Sequence, residues 1–261
     1  MFLSRSSERG QVLLVVILAA VISLTVGLAA VSRTITNTKV STEEENSQKA
    51  LSAAEAGIEE LAGNAALLST GEKQLSNQAT FNANATAVSG TQVLVNGGAT
   101  ISRDDGADIW LSTYPTYASQ WTGTLSIYWT RNDATTCSNN AAMEIVVISG
   151  NQTSPTLNRY TVDPCSRGNN FTSVTAGSHS VLGVNFQYKY TLPAVTSGFI
   201  ARVIPLYANT VIAAEGSPPL PSQGSVIKST GAAGNTKRTI QVFKGYPRVP
   251  IEFFPYSIFL P

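Results

Sequence analysis

An uncharged stretch close to the start of the chain constrains its fold more than any other feature. Residues 10–32 read GQVLLVVILAAVISLTVGLAAVS and contain no charged side chain. As an α-helix this stretch is roughly 34 Å long, which matches the roughly 30 Å hydrocarbon core of a bilayer. It therefore predicts a transmembrane helix at residues 11–32. Its length argues against a cleaved secretory signal, whose apolar region has about 7 to 15 residues, although Ala29-Ala30-Val31-Ser32 imitates a cleavage site.

A short polar leader, MFLSRSSERG, ends directly against the apolar stretch. A plain signal anchor does not account for that junction. The leader, the Gly10/Gln11 junction and the apolar helix together resemble the class III signal of type IV pilins and pseudopilins. The resemblance implies that a prepilin peptidase cuts after Gly10 on the cytoplasmic side, so that Gln11 becomes the N-terminus and the helix stays on the mature protein. It also implies other pilin subunits as partners.

The sequence after the span favours a continuing helix. Residues 39–70 are rich in Ala, Glu, Leu and Gln and contain no proline. Steps of three and four place six apolar residues on one helical stripe: Leu51, Ala54, Ile58, Leu61, Ala65 and Leu68. The segment QKALSAAEAGIEEL, Gln48 to Leu61, resembles the AAEAG signature of PilX-like minor pilins. We expect one helix of about 87 Å, from Gln11 to about Leu68, with residues 33–69 as its extracytoplasmic part.

Two features inside the span bear on assembly. Major pilins carry a glutamate at the fifth mature position, where the resemblance implies a contact with a neighbouring N-terminus, and here that position is Val15. A minor or tip subunit therefore fits better than a bulk subunit. Ala19, Ser23 and Gly27 form a small-residue stripe that would admit another helix closely, although small residues are also common in membrane helices generally.

Composition agrees with an exported domain at residues 70–261. Only 13% of residues are charged, and removing the leader takes two of 17 basic and one of 16 acidic residues, which leaves 15 of each. Neutrality gives no bulk attraction to nucleic acid. The charges flanking the span slightly favour the opposite orientation, because two arginines precede it and Arg33, Lys39 and Lys49 follow it. We nevertheless expect a single-pass membrane protein with a cytoplasmic N-terminus and an extracellular filament domain.

Cys137 and Cys165 flank a predicted hairpin of AMEIVVIS and LNRYTVD around GNQTSP. This hairpin would return both cysteines to its open end, so we expect a disulfide, with two free thiols as the alternative. Two cysteines and one histidine give too few ligands for a structural zinc site of the usual kind, so we do not expect one.

Two-residue alternation replaces the helical period after Thr70. TLSIYWT, FIARVIPLY, NTVIAAEG, GSVIKST and RTIQVFKG predict strands, QVLVNGGATIS predicts a hairpin around Asn96-Gly97, and GAAGN predicts the turn of a last hairpin. Together they predict an antiparallel, meander-like sheet behind one long helix, which is an α+β fold. The apolar tail PRVPIEFFPYSIFLP predicts a packed terminal strand, with a subunit contact as the alternative.

Catalytic motifs do not emerge from the sequence. A triad would depend on His179 alone, and no nucleophile elbow or phosphate-binding loop accompanies it. Asp104, Asp105 and Asp108 are compatible with calcium, but a solvated turn explains them as well. We expect no enzyme activity, cofactor or metal, and a structural role in a type IV pilus or pseudopilus-like filament.

The alternative function is a surface adhesin or DNA-uptake component exported by the same route. Its sequence basis is a basic bias in the last hairpin, formed by Lys237, Arg238, Lys244 and Arg248. Basic side chains on a strand also protect an edge from pairing, which is the structural alternative.

Overall fold

The computed structural model describes residues 8–64, 67–131 and 136–248, with side chains described from Val12 onward. One helix, α1 (Glu8–Gly63), opens the chain, and 56 residues give it a length of about 84 Å. A β-rich remainder follows, so the α+β prediction is confirmed. The helix ends five residues before the predicted Leu68, and the first strand starts at Ser69. The tail beyond Arg248 and most of the predicted leader lie outside the described residues.

Within the described residues, fourteen strands follow α1 in chain order. They are β1 (Ser69–Gln74), β2 (Thr80–Ala87), β3 (Gly90–Leu94), β4 (Ala107–Trp110), β5 (Trp121–Arg131), β6 (Ala142–Gly150), β7 (Pro155–Asp163), β8 (Thr172–Ser173), β9 (His179–Val181), β10 (Val184–Thr191), β11 (Val195–Leu206), β12 (Ile212–Leu220), β13 (Gly224–Ala233) and β14 (Thr236–Gly245).

Two compact units make up the chain. The first contains α1 up to Glu59 with residues 70–83 and 229–240, and the second contains residues 60–69, 84–228 and the described residues from Gln241 onward. Strands β1, β2, β13 and β14 form a four-stranded sheet in that order. The turn between β13 and β14 is Gly234-Asn235, which confirms the last hairpin but leaves Gly231 inside β13 rather than in the turn.

The second sheet has ten strands, with the central order β3-β12-β5-β11-β6-β7-β8. Strand β10 pairs with β5 and β9, and β4 pairs with β11. Every pair is antiparallel except β7 with β8. The meander prediction is wrong, because β12 and β11, which come late in the chain, pair with β3, β5 and β6.

The predicted hairpin around Asn96-Gly97 is also wrong. β3 pairs with the distant β12, and residues 95–98 form a 3₁₀ turn in which Asn96 and Gly97 have φ of 53° and 65°. Asn96 and Gly97 do adopt the positive φ that a type I′ hairpin turn needs. The chain then continues to a single bridge between Ile101 and Thr210 instead of returning along β3.

Strand β5 lies at the centre of the second unit. Six consecutive residues from Leu125 to Thr130 are buried, so both faces of the strand are covered. Successive side chains of β5 point to opposite faces and pack in two different hydrophobic clusters. Leu125, Ile127 and Trp129 belong to the largest cluster of buried residues, whereas Tyr128 belongs to a smaller one. The indole Nε1 of Trp129 donates to the Ala141 carbonyl at 2.9 Å, which satisfies its only polar group.

Candidate functional site

The first part of α1 is an apolar surface that the protein itself does not cover. Fifteen large apolar side chains between Val12 and Val40 are 48–67% exposed. Within the described residues, α1 is the one helix long and apolar enough to span a membrane. An exposed helix that is apolar on all sides needs lipid or another protein around it.

The residues predicted for processing and assembly lie on this helix. Gly10 and Gln11 belong to α1, which already begins at Glu8. Val15 is 61% exposed. Ala19, Ser23 and Gly27 are exposed too, and no atom lies within 4 Å of the position that a Gly27 Cβ would take. Their spacing of four keeps them on one face, which is accessible to a second helix.

Threonine hydroxyl groups bond to the backbone of α1 both within and after its apolar part. Each donates to a backbone carbonyl three or four residues earlier, at 2.8–3.0 Å. The residues concerned are Thr25, Thr34, Thr36, Thr38 and Thr42. Bonded in this way, a threonine presents mainly its methyl group to the surroundings.

The C-terminal part of α1 packs within the first unit through small residues. Ala50, Ala53 and Ala54 are fully buried, and Gly57 is buried as well. The predicted stripe is partly wrong, since Leu51 is 43% exposed and the buried face runs through the AAEAG segment, residues 53–57. Small residues occupy the buried face of α1 because they let the helix lie directly against the strands.

Two glycines show how close this contact is. A Cβ on Gly231 of β13 would lie 2.0 Å from the Ala50 carbonyl oxygen and 2.6 Å from the Ala54 nitrogen. A Cβ on Gly57 would lie 2.3 Å from the Ser229 Oγ. Carbon atoms do not approach neighbours to such distances. The helix and β13 are therefore in contact through their backbones.

The four basic residues of the last hairpin are placed separately. Arg238 donates from Nε and Nη2 to the Ser47 Oγ at 2.9 and 2.7 Å. Lys244 donates to the carbonyl of Ala62, in the last turn of α1, where a cation is favoured by the helix dipole. Arg248 pairs with Asp105 at 3.0 Å, and Lys237 is exposed. Three of the four side chains thus have partners within the chain.

The predicted acidic cluster is divided among cations. Asp108 accepts from Arg202 Nε and Nη2, both at 2.7 Å, and both side chains are 3% exposed. Asp104 lies 3.3 Å from Arg103, and Asp105 pairs with Arg248. In the described part of the chain, no group of three or more His, Cys, Asp or Glu side chains is arranged to hold a metal ion.

A disulfide closes the β6–β7 hairpin. Cys137 and Cys165 are bonded, with their Cα atoms 5.9 Å apart, which confirms the predicted bridge. The buried Asp163 accepts from the Cys165 backbone nitrogen at 2.8 Å and from Arg167 at 2.5 Å. Arg167 also donates to the carbonyls of Cys137 and, at 2.8 Å, Asn140. Sequence reasoning missed this network, whose signal was the run of polar residues after Cys165.

His179 packs edge-on against Tyr128 at 5.7 Å, in strand β9. The Tyr128 hydroxyl donates to Glu215, and the Lys189 ammonium lies 5.2 Å from its ring centroid. Burial raises the pKa of the Tyr128 phenol, and the bond to Glu215 adds to that rise while Lys189 opposes it. Burial also raises the pKa of Tyr188. These contacts account for His179 as a packed side chain.

The fold and these surfaces define a class of protein: an α+β chain with one N-terminal helix apolar enough to span a membrane, followed by a β-rich part closed by a disulfide. No protein-family model, curated protein or solved structure matches the chain.

Proposed function

We propose that this protein is a minor subunit, at the tip or in the initiating position, of a type IV pilus or pseudopilus-like filament. The observation that carries the proposal is the division of α1 into two parts. Its first part is apolar and exposed on every side, whereas its second part is buried by small residues against its own strands. One continuous helix can thereby sit in the membrane before assembly and pack among other subunits afterwards.

Val15 supports a minor position. A bulk subunit that used a charged pair at this point would need a carboxylate, and the side chain here is an exposed aliphatic group. The helix therefore offers neighbours an apolar surface and the small-residue face of Ala19, Ser23 and Gly27. The domain after α1 is carried outward, where an oxidising environment maintains the Cys137–Cys165 bridge.

Processing provides the first test. Intact mass and N-terminal sequencing of the membrane-extracted protein should show a chain that begins at Gln11. Gly10→Val should leave the leader attached, whereas Gly27→Val, a matched change on the same helix, should not affect cleavage. A leader retained on the wild type, or cleavage near Ser32, would refute the proposal.

Cross-linking provides the second test. Both native cysteines are in the disulfide, so one introduced cysteine is the reactive thiol. Ala19→Cys should cross-link to the N-terminal helix of a neighbouring subunit in native membranes or sheared filaments. Val21→Cys, about 200° away around the helix, should cross-link less. Equal or absent cross-linking at both positions contradicts the small-residue face as the contact.

A further inference from the structure

A polar cleft lies beside the disulfide in the second unit. Two adjoining depressions of about 530 and 270 Å³ share Asn139 and Asn209 in their linings. The remaining lining includes Arg103 and Tyr207 in the larger depression and Arg131 in the smaller. None of the described residues in either lining has a carboxylate side chain. A ligand would therefore meet amides, hydroxyls, guanidinium groups and one aromatic ring.

The wall of the smaller depression contains a strained and incompletely bonded threonine. Thr130 is 3% exposed and has φ of +56°, although β-branched residues strongly disfavour that region. Its backbone nitrogen donates to the Thr210 Oγ1 at 2.9 Å, but its own Oγ1 has no hydrogen-bond partner within the described chain. Such strain costs of order 1–3 kcal/mol and clusters at binding sites. Thr130 Oγ1 is one of four buried side-chain polar atoms without a hydrogen-bond partner among the described residues, and the one that belongs to the lining of this cleft.

The rest of the lining is held in position. The Asn209 Oδ1 accepts from the Arg103 backbone nitrogen at 2.8 Å, which leaves its Nδ2 as a donor. Tyr207 also has a positive φ, 72°, and its ring is 4.4 Å from the Arg167 guanidinium, which covers part of it. Its side chain is still exposed enough, at 45%, to meet a ligand. A prearranged lining loses little freedom on binding.

Arg131 gives the cleft its charge. It is exposed, and it forms no ion pair with another described residue. Arg103, in contrast, lies 3.3 Å from the Asp104 carboxylate. Among the described residues of the two linings, Arg131 is therefore the cation that has no ionic partner, and its neighbours there are uncharged hydrogen-bonding groups. A nucleic-acid strand would require several cations along a track of phosphates, which this lining does not provide.

We propose that this cleft binds a carboxylated sugar unit of a polysaccharide. Arg131 takes the carboxylate, Asn139 and Asn209 bond the ring hydroxyls, and the exposed part of the Tyr207 ring stacks on the apolar face of the sugar. A guanidinium suits a carboxylate because its fork of donors matches the two oxygens. This binding role is independent of the filament role, since none of its residues lies on α1.

The test uses the full chain in detergent micelles. Fluorescence anisotropy measures binding of three labelled acidic probes, an oligogalacturonate, an oligoglucuronate and a sialyl oligosaccharide, beside a neutral galactan oligomer and a single-stranded DNA 20-mer. We expect at least one acidic sugar to bind at least tenfold more tightly than the neutral oligomer and the DNA. Binding of none of the three acidic probes, or equal binding of the neutral oligomer, overturns the proposal. Tighter binding of the DNA assigns the cleft to nucleic acid and also overturns it.

Variants locate the binding. Arg131→Ala should weaken the acidic probe at least tenfold and reduce the preference over the neutral oligomer, and Asn209→Ala should weaken both sugars. Arg238→Ala, an arginine outside the cleft, is the matched control and should have no effect. Unchanged tryptophan fluorescence verifies folding, because Trp110, Trp121 and Trp129 are all buried in this unit. Binding that survives Arg131→Ala places the ligand elsewhere and refutes the assignment.

Discussion

Replacing Gly231 by alanine tests the backbone contact between α1 and β13. The new Cβ would lie 2.0 Å from the Ala50 carbonyl oxygen, where a carbon–oxygen contact needs about 3.3 Å. The obstructing atoms belong to helix backbone, so no side-chain rotation relieves the clash and the helix must move by about 1 Å. A displacement of that size loses a quarter to a half of the dispersion energy of each affected contact. We expect a loss of about 1–3 kcal/mol, as for overpacked cores.

Hydrogen exchange measured by mass spectrometry reports this loss locally. Tryptophan fluorescence would not, since the three tryptophans lie in the second unit. For the full chain in micelles, amides of residues 50–59 and 229–233 should exchange about 5- to 150-fold faster in Gly231→Ala, at about 1.4 kcal/mol per factor of ten. Gly63→Ala is the matched control, because its Cβ meets nothing within 4 Å. Exchange within a factor of two of the wild type in Gly231→Ala would refute the close contact.

Three further predictions concern the second unit. Replacing Cys137 and Cys165 by alanine should lower the free energy of unfolding by about 3.5 kcal/mol, measured by urea denaturation, because the bridge closes a loop with a sequence separation of 28; no change would mean that the hairpin stays closed without it. Arg202→Met takes the guanidinium from the buried Asp108 carboxylate and should cost about 3–5 kcal/mol in the same assay, whereas Arg202→Met with Asp108→Leu should cost less. Because folding raises the pKa of Tyr128, the neutral phenol contributes to the free energy of unfolding fully below about pH 10, and this contribution is lost as the pH rises through the folded pKa. Tyr128→Phe should therefore reduce the loss of stability at alkaline pH and remove a late-ionising phenol from the ultraviolet titration. An unchanged titration would contradict this.

The sequence predicts features that depend on local pattern. The length of α1, the β6–β7 hairpin and the disulfide follow from periodicity, turn residues and cysteine position, all of which act over short distances. The buried face of α1 was predicted less well. Leu51 and Ile58 have the larger side chains, but contact with β13 selects Ala50, Ala54 and Gly57 because closeness matters more than side-chain area there.

Long-range pairing sets the features that the sequence did not predict. β12 pairs with β3 and β5 across more than 80 residues, and no local signal specifies that register. The polar cleft has the same origin, since its lining comes from four segments between Thr100 and Val211. The basic hairpin and the acidic cluster looked functional because their partners, such as Ser47 and Arg202, are distant in sequence.

The disulfide also changes how the second unit would respond to mechanical load. A pulling force unzips a two-stranded hairpin most easily from its open end, and in β6–β7 that end is closed by the Cys137–Cys165 bond. Tension along the chain therefore passes through the disulfide and not through the hairpin. The residues between the two cysteines, which would span about 95 Å if fully extended, do not stretch while the bond is intact. Once the bond is reduced, the same force acts directly on β6 and β7, and the pairing of these strands in the sheet is what resists extension of that length.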